Sequence, residues 1–270
     1  MILNIAMLII LSLFIIFGVL ITINLFWAKH QNGIYSTGDI DMSYRYGYFI
    51  QSIIDENGNK AGYEALLRYY DPVDQKWKFP TNFKDFSLRE IIPLLKDVLP
   101  RLNEESGFLS INITLNQMYD LRYEWFIRWA RGTIYPMKLR IEISITDDYK
   151  PNLLVKRNII KNLKKSKELD VDVILEKIES TNVFLKKVKW MFKDISGIKI
   201  PFSQYRKTGD DQWVDINMGE WKRIATSYGF EIDVTELENS DDIELADNLK
   251  LKYRQGYLID KPNYGESDFK

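Results

Sequence analysis

The chain has 270 residues, of which 46% are hydrophobic and 14% aromatic, which is enough for one full-sized core. The formal net charge is −1 and no strongly basic block occurs, so nucleic acid is not an expected partner. There is no cysteine, which excludes disulfides, thiolate zinc sites and a cysteine nucleophile. His30 is the only histidine, so a histidine-based triad is excluded and any metal ion must be bound by oxygen ligands.

The first feature along the chain is an uncharged apolar run over residues 2–27. A helix of this length is long enough to cross a bilayer. No basic residue precedes the run and no small-residue cleavage site follows it, which argues against a cleaved signal peptide. We therefore predict a transmembrane anchor over residues 1–28. The first basic residues, from Lys29 onward, follow the run, and they favour a single-pass protein of the cell membrane with a cytoplasmic domain.

The rest of the chain is predicted to form one domain. Residues 29–45 are polar, contain two glycines and show no periodicity, which indicates a linker. From residue 46 onward there is no comparable break, repeat or low-complexity segment. We predict a single barrel domain over residues 46–265 and a short tail over residues 266–270.

Within this domain, strand-like and helix-like runs alternate. The runs at 48–55 and 61–70 flank an Asn-Gly turn and predict a β-hairpin. A helix is predicted to end at Gly132. The later strand-like runs are GFLSINITL, KLRIEISI, VDVIL, GIKIPF, GFEIDV and YRQGYLI. This alternation predicts parallel strands with crossover helices, and the number of strands suits a closed α/β barrel.

Polar side chains recur within these apolar strands, at Glu64, Asn112 and Glu142. Alternate side chains of a strand share a face, so Glu64, Leu66 and Arg68 are expected to point the same way. In parallel barrels, chemistry is located at the C-terminal ends of the strands. The recurrence therefore predicts a polar site at one end of the barrel.

Two segments carry a specific resemblance to a known family. The stretch GYEALLR resembles the signature of EAL domains, the phosphodiesterases that linearise cyclic di-GMP, and QGYLIDKP resembles the closing motif of that family. Between them, SINITLNQ, LRIEISI and GIKIP are similar to further family segments and follow in the family order. The resemblance implies an EAL-like fold, a modified TIM-type (β/α) barrel, over nearly the whole predicted domain.

The resemblance also implies roles for individual residues on the metal side of the site. Glu64, Asn112 and Glu142 match ligands on one side of a two-cation site. In the family, two cations polarise the phosphodiester and generate hydroxide from a bridging water. Lys199 matches a lysine that helps to orient the attacking water.

Further matching residues are implied to contact the ligand. Arg68 matches an arginine that contacts a ligand phosphate, and Leu66 is expected to pack beside it. Gln255 matches a glutamine at the rim of the site. Tyr257 is a candidate for stacking on the ligand or lining its pocket.

The sequence departs from the family pattern where the metals are held. The paired aspartates of the family are replaced after the strand VDVIL by Glu176 and Lys177, and a lysine ammonium repels a divalent cation. Pro201 replaces the aspartate of the family's L-K-I-D strand, and Thr235 stands at an acidic catalytic position. The departures imply that there is no catalytic residue and no resident cofactor, and that the remnant ligands named above bind Mg²⁺ or Mn²⁺ weakly at most.

Three functions are open at this point. The first is a catalytically inactive, membrane-anchored receptor for cyclic di-GMP that regulates a protein partner, by analogy an exopolysaccharide synthesis or secretion complex. The second is a scaffold of a membrane complex that binds no nucleotide, and the third is a residual phosphodiesterase with substituted ligands. Because dimerisation is common in the family, a homodimer is compatible with all three.

Overall fold

The computed structural model of the chain describes residues 2–32, 45–80, 86–102, 107–145, 149–206 and 214–264. The strands are β1 (Arg45–Ile54), β2 (Lys60–Asp71), β3 (Lys76–Lys78), β4 (Phe108–Thr114), β5 (Lys138–Ser144), β6 (Asp172–Glu176), β7 (Gly197–Pro201), β8 (Glu231–Thr235) and β9 (Tyr253–Arg254). The helices are α1 (Ile2–Asn32), α2 (Leu88–Val98), α3 (Leu115–Tyr119), α4 (Tyr123–Ile134), α5 (Leu153–Glu168), α6 (Asn182–Val188), α7 (Met218–Tyr228) and α8 (Ser240–Asn248). The predicted tail, residues 266–270, and residues 33–44 of the predicted linker lie outside the described residues.

The strands close into a ring in the described part of the chain. Their order is β1-β9-β8-β7-β6-β5-β4-β2, and direct pairing of β1 with β2 completes the ring. β2 and β4 to β9 run parallel to one another, whereas β1 is antiparallel to both of its neighbours. β3 pairs with β2 outside the ring. The predicted α/β barrel is confirmed, with an antiparallel first strand.

The antiparallel pair is the predicted hairpin. Its turn is held by the carboxylate of Asp55, which accepts the backbone N–H groups of Asn57 and Asn59 at 2.8 and 2.9 Å. Gly58 has a φ of +81°, a conformation that glycine adopts without strain. The register that follows places Gln51 of β1 opposite Glu64 of β2.

Alternation along the strands separates two environments. In β4, Leu109, Ile111 and Ile113 are buried in the hydrophobic core that the strands share with the helices. The intervening Ser110 and Asn112 point the other way, into the barrel. Both faces of a parallel strand are covered, so burial is nearly continuous along it. The barrel interior is therefore lined with polar side chains, whereas its outer face is apolar.

One sequence-based expectation differs from the structure, and a second is not supported by it. α4 continues through Gly132 to Ile134, so the predicted helix end is wrong. The helix ends instead before Pro136, because a proline disfavours the helical conformation of the residue that precedes it. In addition, no helix within the described residues meets the length and hydropathy required of a membrane span, so the transmembrane prediction over residues 1–28 is not supported.

Candidate functional site

Charged side chains meet inside the barrel near the C-terminal ends of its strands. Glu64 of β2, Glu142 of β5 and Lys199 of β7 are all buried. The Nζ atom of Lys199 lies 2.8 Å from Oε2 of Glu64 and 2.7 Å from Oε2 of Glu142. An ammonium group is thus held between two carboxylates, and such pairing is what allows charges to be buried.

Amide side chains complete the hydrogen bonding of Glu64. Nδ2 of Asn112 donates to Oε1 of Glu64 at 2.6 Å, and Nε2 of Gln255 donates to its Oε2 at 2.7 Å. The same Nε2 atom also donates to Oε1 of Gln51 at 2.8 Å. Gln51 was missed by the sequence analysis, although a glutamine in the apolar strand run YFIQSIID is a signal of the same kind as the others. The predicted residues that the structure joins in one network are Glu64, Asn112, Glu142, Lys199 and Gln255.

The pKa values of the three charged groups follow from burial and from one another. Burial raises the pKa of Glu142 to about 7; the charge of Glu64 adds to this effect and Lys199 opposes it. Burial also acts to raise the pKa of Glu64, but Lys199 and the hydrogen bonds from Asn112 and Gln255 outweigh it and hold that pKa below its usual value. Burial disfavours the charged Lys199, yet the two carboxylates keep its pKa above the ordinary value. Glu142 is therefore the carboxylate that changes charge near neutral pH.

A third carboxylate, Glu176 at the end of β6, makes the cluster suitable for a cation. One oxygen each of Glu64, Glu142 and Glu176 lies within 4.8 Å of the others. Among the described residues, Oε1 of Glu142 and Oδ1 of Asn112 have no hydrogen-bond partner. Such oxygen atoms are preferred ligands of Mg²⁺ and Mn²⁺, so these residues fit one cation of the type that the family resemblance implies. Lys199 competes with that cation, because it already neutralises part of the cluster.

The opposite side of the site differs from the sequence-based interpretation. The side chain of Lys177 is 75% exposed, and its Nζ atom lies 3.6 Å from Oε1 of Glu176. It therefore lies at the mouth of the barrel, and the ammonium among the buried carboxylates is that of Lys199. Lys177 has a backbone φ of +54°, a conformation that is uncommon for residues other than glycine.

A pocket with a volume of about 430 Å³ opens at the C-terminal mouth of the barrel, and we refer to it as the C-terminal pocket. Its wall includes Gln51, Glu64, Glu176, Lys177, Lys199 and Gln255. Pro201 and Thr235, where the family has acidic residues, lie in its wall and offer no carboxylate. Glu236 and Glu238 also line it, but Glu238 is ion-paired with Arg206 at 2.7 Å. The predicted ligand contact Tyr257 lines the pocket and is 58% exposed, which leaves its ring available for stacking.

Arg68 and Leu66 are not part of this wall. The Arg68 side chain is buried, its Nη1 donates to the backbone carbonyl of Leu67 at 2.8 Å, and its guanidinium carbon lies 3.6 Å from the ring centre of Phe79. Burial lowers its pKa, and the nearby Tyr257 and Glu64 act in the opposite direction. Leu66 is half-buried on the same face of β2. Arg68 therefore interacts electrostatically with two residues of the pocket, and its contact with a ligand phosphate stays a prediction.

Comparison with known proteins identifies the fold. No protein-family model matches the sequence, and no curated protein sequence matches it. Among solved structures, an EAL domain protein from Listeria monocytogenes is 21% identical, with a TM-score of 0.60 over 81% of this chain and 89% of that one. The FimX EAL domain from Pseudomonas aeruginosa, bound to cyclic di-GMP, is 13% identical, with a TM-score of 0.58 over 92% of this chain and 99% of that one.

A third similar structure is the YkuI protein of Bacillus subtilis, which has an EAL domain and was solved with its substrate cyclic di-GMP and calcium. It is 16% identical, with a TM-score of 0.62 over 81% of this chain and 56% of that one. In all three comparisons the matched region covers at least 81% of this chain. The chain therefore has the fold of the EAL domains.

Proposed function

We propose that this chain is a catalytically inactive EAL-domain protein that binds cyclic di-GMP in the C-terminal pocket and regulates a protein partner. The observation that supports inactivity is the one-sided distribution of the less exposed acidic groups, since Glu236 and Glu238 in the opposite wall are exposed and Glu238 is paired with Arg206. Glu64, Glu142 and Glu176 cluster around the ammonium of Lys199, whereas Pro201 and Thr235 end the strands across the pocket. Two-metal hydrolysis needs carboxylates around both ions, and this arrangement supplies them for one.

Support for cyclic di-GMP as the ligand comes from the fold and the pocket. Similar structures with this fold contain cyclic di-GMP, among them those of FimX and YkuI. The pocket offers an exposed aromatic ring, Tyr257, and a buried amide, Gln255. A ring can stack on a guanine base and an amide can hydrogen-bond to its edge, so both match the chemistry of this ligand.

Calorimetric titration of the full chain with cyclic di-GMP, with and without Mg²⁺, tests the receptor proposal. We expect saturable binding with a dissociation constant below about 100 μM. Tyr257→Ala is expected to weaken binding about tenfold, because it removes a stacking surface. Trp125→Ala is the matched control, because it truncates an aromatic side chain that is 76% exposed on α4 and does not line the pocket. Absence of binding would favour the scaffold function instead.

The three-carboxylate cluster also favours a second candidate, a residual phosphodiesterase that uses one weakly held Mg²⁺ or Mn²⁺. The two candidates differ in product formation. We expect no linear pGpG after prolonged incubation of the full chain with cyclic di-GMP and Mn²⁺. If pGpG forms and Glu64→Gln abolishes it, the residual phosphodiesterase is the correct function.

Location at the cell membrane is a separate part of the proposal. Residues 2–27 carry no charge, and the side chains of residues 9–24 of α1 are exposed. We expect the full chain to sediment with membranes at alkaline pH and a chain without residues 2–27 to be released. Recovery of the full chain in the supernatant would contradict this location. The homodimer and the exopolysaccharide partner stay predictions, and affinity purification of the full chain tests both.

A further inference from the structure

A second and larger cleft opens at the opposite end of the barrel. Its volume is about 1070 Å³, compared with 430 Å³ for the C-terminal pocket. Residues at the starts of strands surround it, namely Phe108 of β4, Lys138 of β5, Asp172 of β6, Glu231 of β8 and Tyr253 of β9. The cleft therefore lies at the N-terminal mouth, away from the residues to which the proposed function assigns a role.

Arg140 forms the buried part of this cleft. The side chain is 2% exposed, and its Nη2 atom donates to Oδ2 of Asp233 at 2.5 Å. The guanidinium carbon lies 4.3 Å from the ring centre of Phe108 and 4.9 Å from that of Tyr253. These two rings hold the guanidinium group in place, so its remaining N–H groups have fixed directions.

Those remaining donors have no acceptor. Nε and Nη1 of Arg140 are buried and have no hydrogen-bond partner among the described residues, and neither has Oδ1 of Asp233. Buried polar groups are nearly always hydrogen-bonded, so unpaired donors on one side chain need an explanation. If Arg140 served only to pair with Asp233 inside the barrel, the hydrogen bond of Nη2 would be explained, but the burial of Nε and Nη1 without an acceptor would not.

Basic and acidic side chains both surround the cleft. Four basic side chains line it, those of Arg140, Lys138, Lys167 and Lys252, against the two acidic side chains of Asp172 and Glu231. Two of the lysines have partners at the rim: Lys252 lies 2.5 Å from Glu231, and Lys138 lies 3.6 Å from Asp170. Asp170 and Asp233 balance Lys138 and Arg140, so the preference for an anion rests on the unpaired N–H groups of Arg140 rather than on the net charge of the cleft.

We propose that the N-terminal cleft binds a small molecule through an oxyanion, a phosphate or carboxylate group, that accepts hydrogen bonds from Nε and Nη1 of Arg140. A planar guanidinium held between aromatic rings is suited to such a group, because its donors are oriented before the ligand arrives. The lysines at the rim contribute attraction at longer range. This binding does not depend on cyclic di-GMP, which the proposed function places at the other end of the barrel.

Nuclear magnetic resonance of arginine side chains in the full chain tests the proposal directly. Inorganic phosphate and succinate are titrated separately, each against chloride at equal ionic strength, to distinguish the two kinds of oxyanion. We expect a saturable shift of the Nε–H resonance of Arg140 with half-saturation at about 1–10 mM. Absence of a saturable shift with either anion up to about 50 mM would overturn the proposal.

Three variants distinguish binding at this cleft from non-specific charge effects. Lys252→Gln removes a rim charge and is expected to weaken binding about threefold, whereas Lys177→Gln, at the opposite mouth, is expected to leave it unchanged. Arg140→Leu combined with Asp233→Asn removes the pair together, so that no buried charge is left alone, and is expected to reduce affinity at least about tenfold. Equal loss in both lysine variants would contradict the cleft as the binding site. If the double variant does not fold, the comparison of the two lysine variants and the titration of the Arg140 Nε–H resonance still test the proposal.

Discussion

At the scale of single residues, the charge of the C-terminal pocket depends on the protonation of Glu142. The group is fully buried, and its partner Lys199 is shared with Glu64. Burial raises the pKa of Glu142 to about 7, whereas the reference value is 4.5. Between these values the folded chain binds a proton at Glu142 that the unfolded chain releases. The free energy of unfolding contributed by this group therefore falls as pH rises from about 4.5 to 7.

Glu142→Gln is expected to remove this pH dependence. Glutamine does not titrate. The difference in free energy of unfolding between the variant and the wild type should therefore shift by about 1–3 kcal/mol in favour of the variant from pH 5 to pH 8. Urea unfolding of both proteins at the two pH values measures the difference. Parallel pH dependence of the two proteins would show that Glu142 does not titrate in this range.

Lys199→Met is expected to destabilise the chain and to make it responsive to cations. Removal of the ammonium leaves Glu64 and Glu142 without their shared partner, a loss of about 3–5 kcal/mol. Mg²⁺ should recover part of this loss, because the oxygen cluster then lacks its competing charge. Urea unfolding with and without Mg²⁺ measures both effects. Lys177→Met is the control; its side chain is 75% exposed and should change stability by less than about 0.5 kcal/mol.

The sequence predicted which polar residues converge, but not where every long side chain points. Strand alternation and family order identify Glu64, Asn112 and Glu142 as neighbours, and the structure joins them. The direction of Arg68 is set by Phe79, which follows β2 only after a turn and β3, and such a distant ring cannot be placed by local pattern. Lys177 is exposed and has a positive φ, and its residue type indicates neither.

At the scale of elements, the loop after β9 determines the position of Gln255. The backbone N–H of Gln255 donates to the carbonyl of Val234 at 3.0 Å, and that of Leu237 donates to the carbonyl of Gln255 at 3.2 Å. Gly256 comes so close to this segment that a Cβ atom would lie 2.2 Å from the carbonyl oxygen of Leu237. The absence of a side chain at this position allows the two loops to pack and brings the amide of Gln255 to Glu64.

Gly256→Ala is therefore expected to destabilise the chain by about 1–3 kcal/mol, because the two loops must separate. It should also weaken binding of cyclic di-GMP, through displacement of Gln255. Chemical denaturation and calorimetry measure these two effects. Gly132→Ala in α4 is the control: its Cβ meets no atom within 4 Å, and the change should stabilise the chain by about 0.5–1 kcal/mol. Equal effects at the two glycines would contradict the close approach.

The order and type of the elements were largely predictable, whereas their ends were not. Apolar runs bounded by turn residues identify β4, β5 and β6 because parallel strands are buried on both faces. The end of α4 depends on Pro136 and on packing more than on Gly132. The short strand β3 gave no signal, since three residues are too few to show alternation.

At the scale of the whole molecule, the ring is not equally strong around its circumference. β4 and β5 are paired along their whole length, from Phe108 with Lys138 to Thr114 with Ser144. β1 pairs with β9 at Ile54 and Arg254 alone among the described residues, and its further links to the chain after β9 are a bridge between Ile50 and Asn263 and hydrogen bonds to Asp260 and Gln255. The junction of β1 and β9 is therefore the weakest place in the described ring.

Hydrogen exchange of the full chain is expected to reflect this difference. Amides of β4 and β5 should exchange at least about tenfold more slowly than those of β9 and of residues 259–264, because opening of the ring needs few bonds to break there. Mass spectrometry of exchanged peptides resolves the two regions. Uniform protection around the ring would show that it opens only by global unfolding.

The number of strands predicted a closed barrel. The hairpin of β1 and β2 was also predicted, but not that β1 runs antiparallel to both of its neighbours in the ring. Part of the wall of the pocket was predicted, namely Glu64, Lys199, Gln255 and Tyr257, whereas Gln51 was not. The cleft at the N-terminal mouth was not, because Arg140 and Asp233 lie on separate strands, β5 and β8, and nothing local connects them. Such pairs become visible only when the ring is closed.

The barrel axis carries a column of alternating charge. Arg140 pairs with Asp233, Asp233 also interacts electrostatically with Lys199, and Lys199 pairs with Glu142. If one of these side chains is replaced by a neutral one, the adjacent charges lose their partner inside the barrel, where an isolated charge is unfavourable. Substitutions of these residues are therefore expected to occur in pairs. An alignment of related sequences should show covariation between positions 140 and 233.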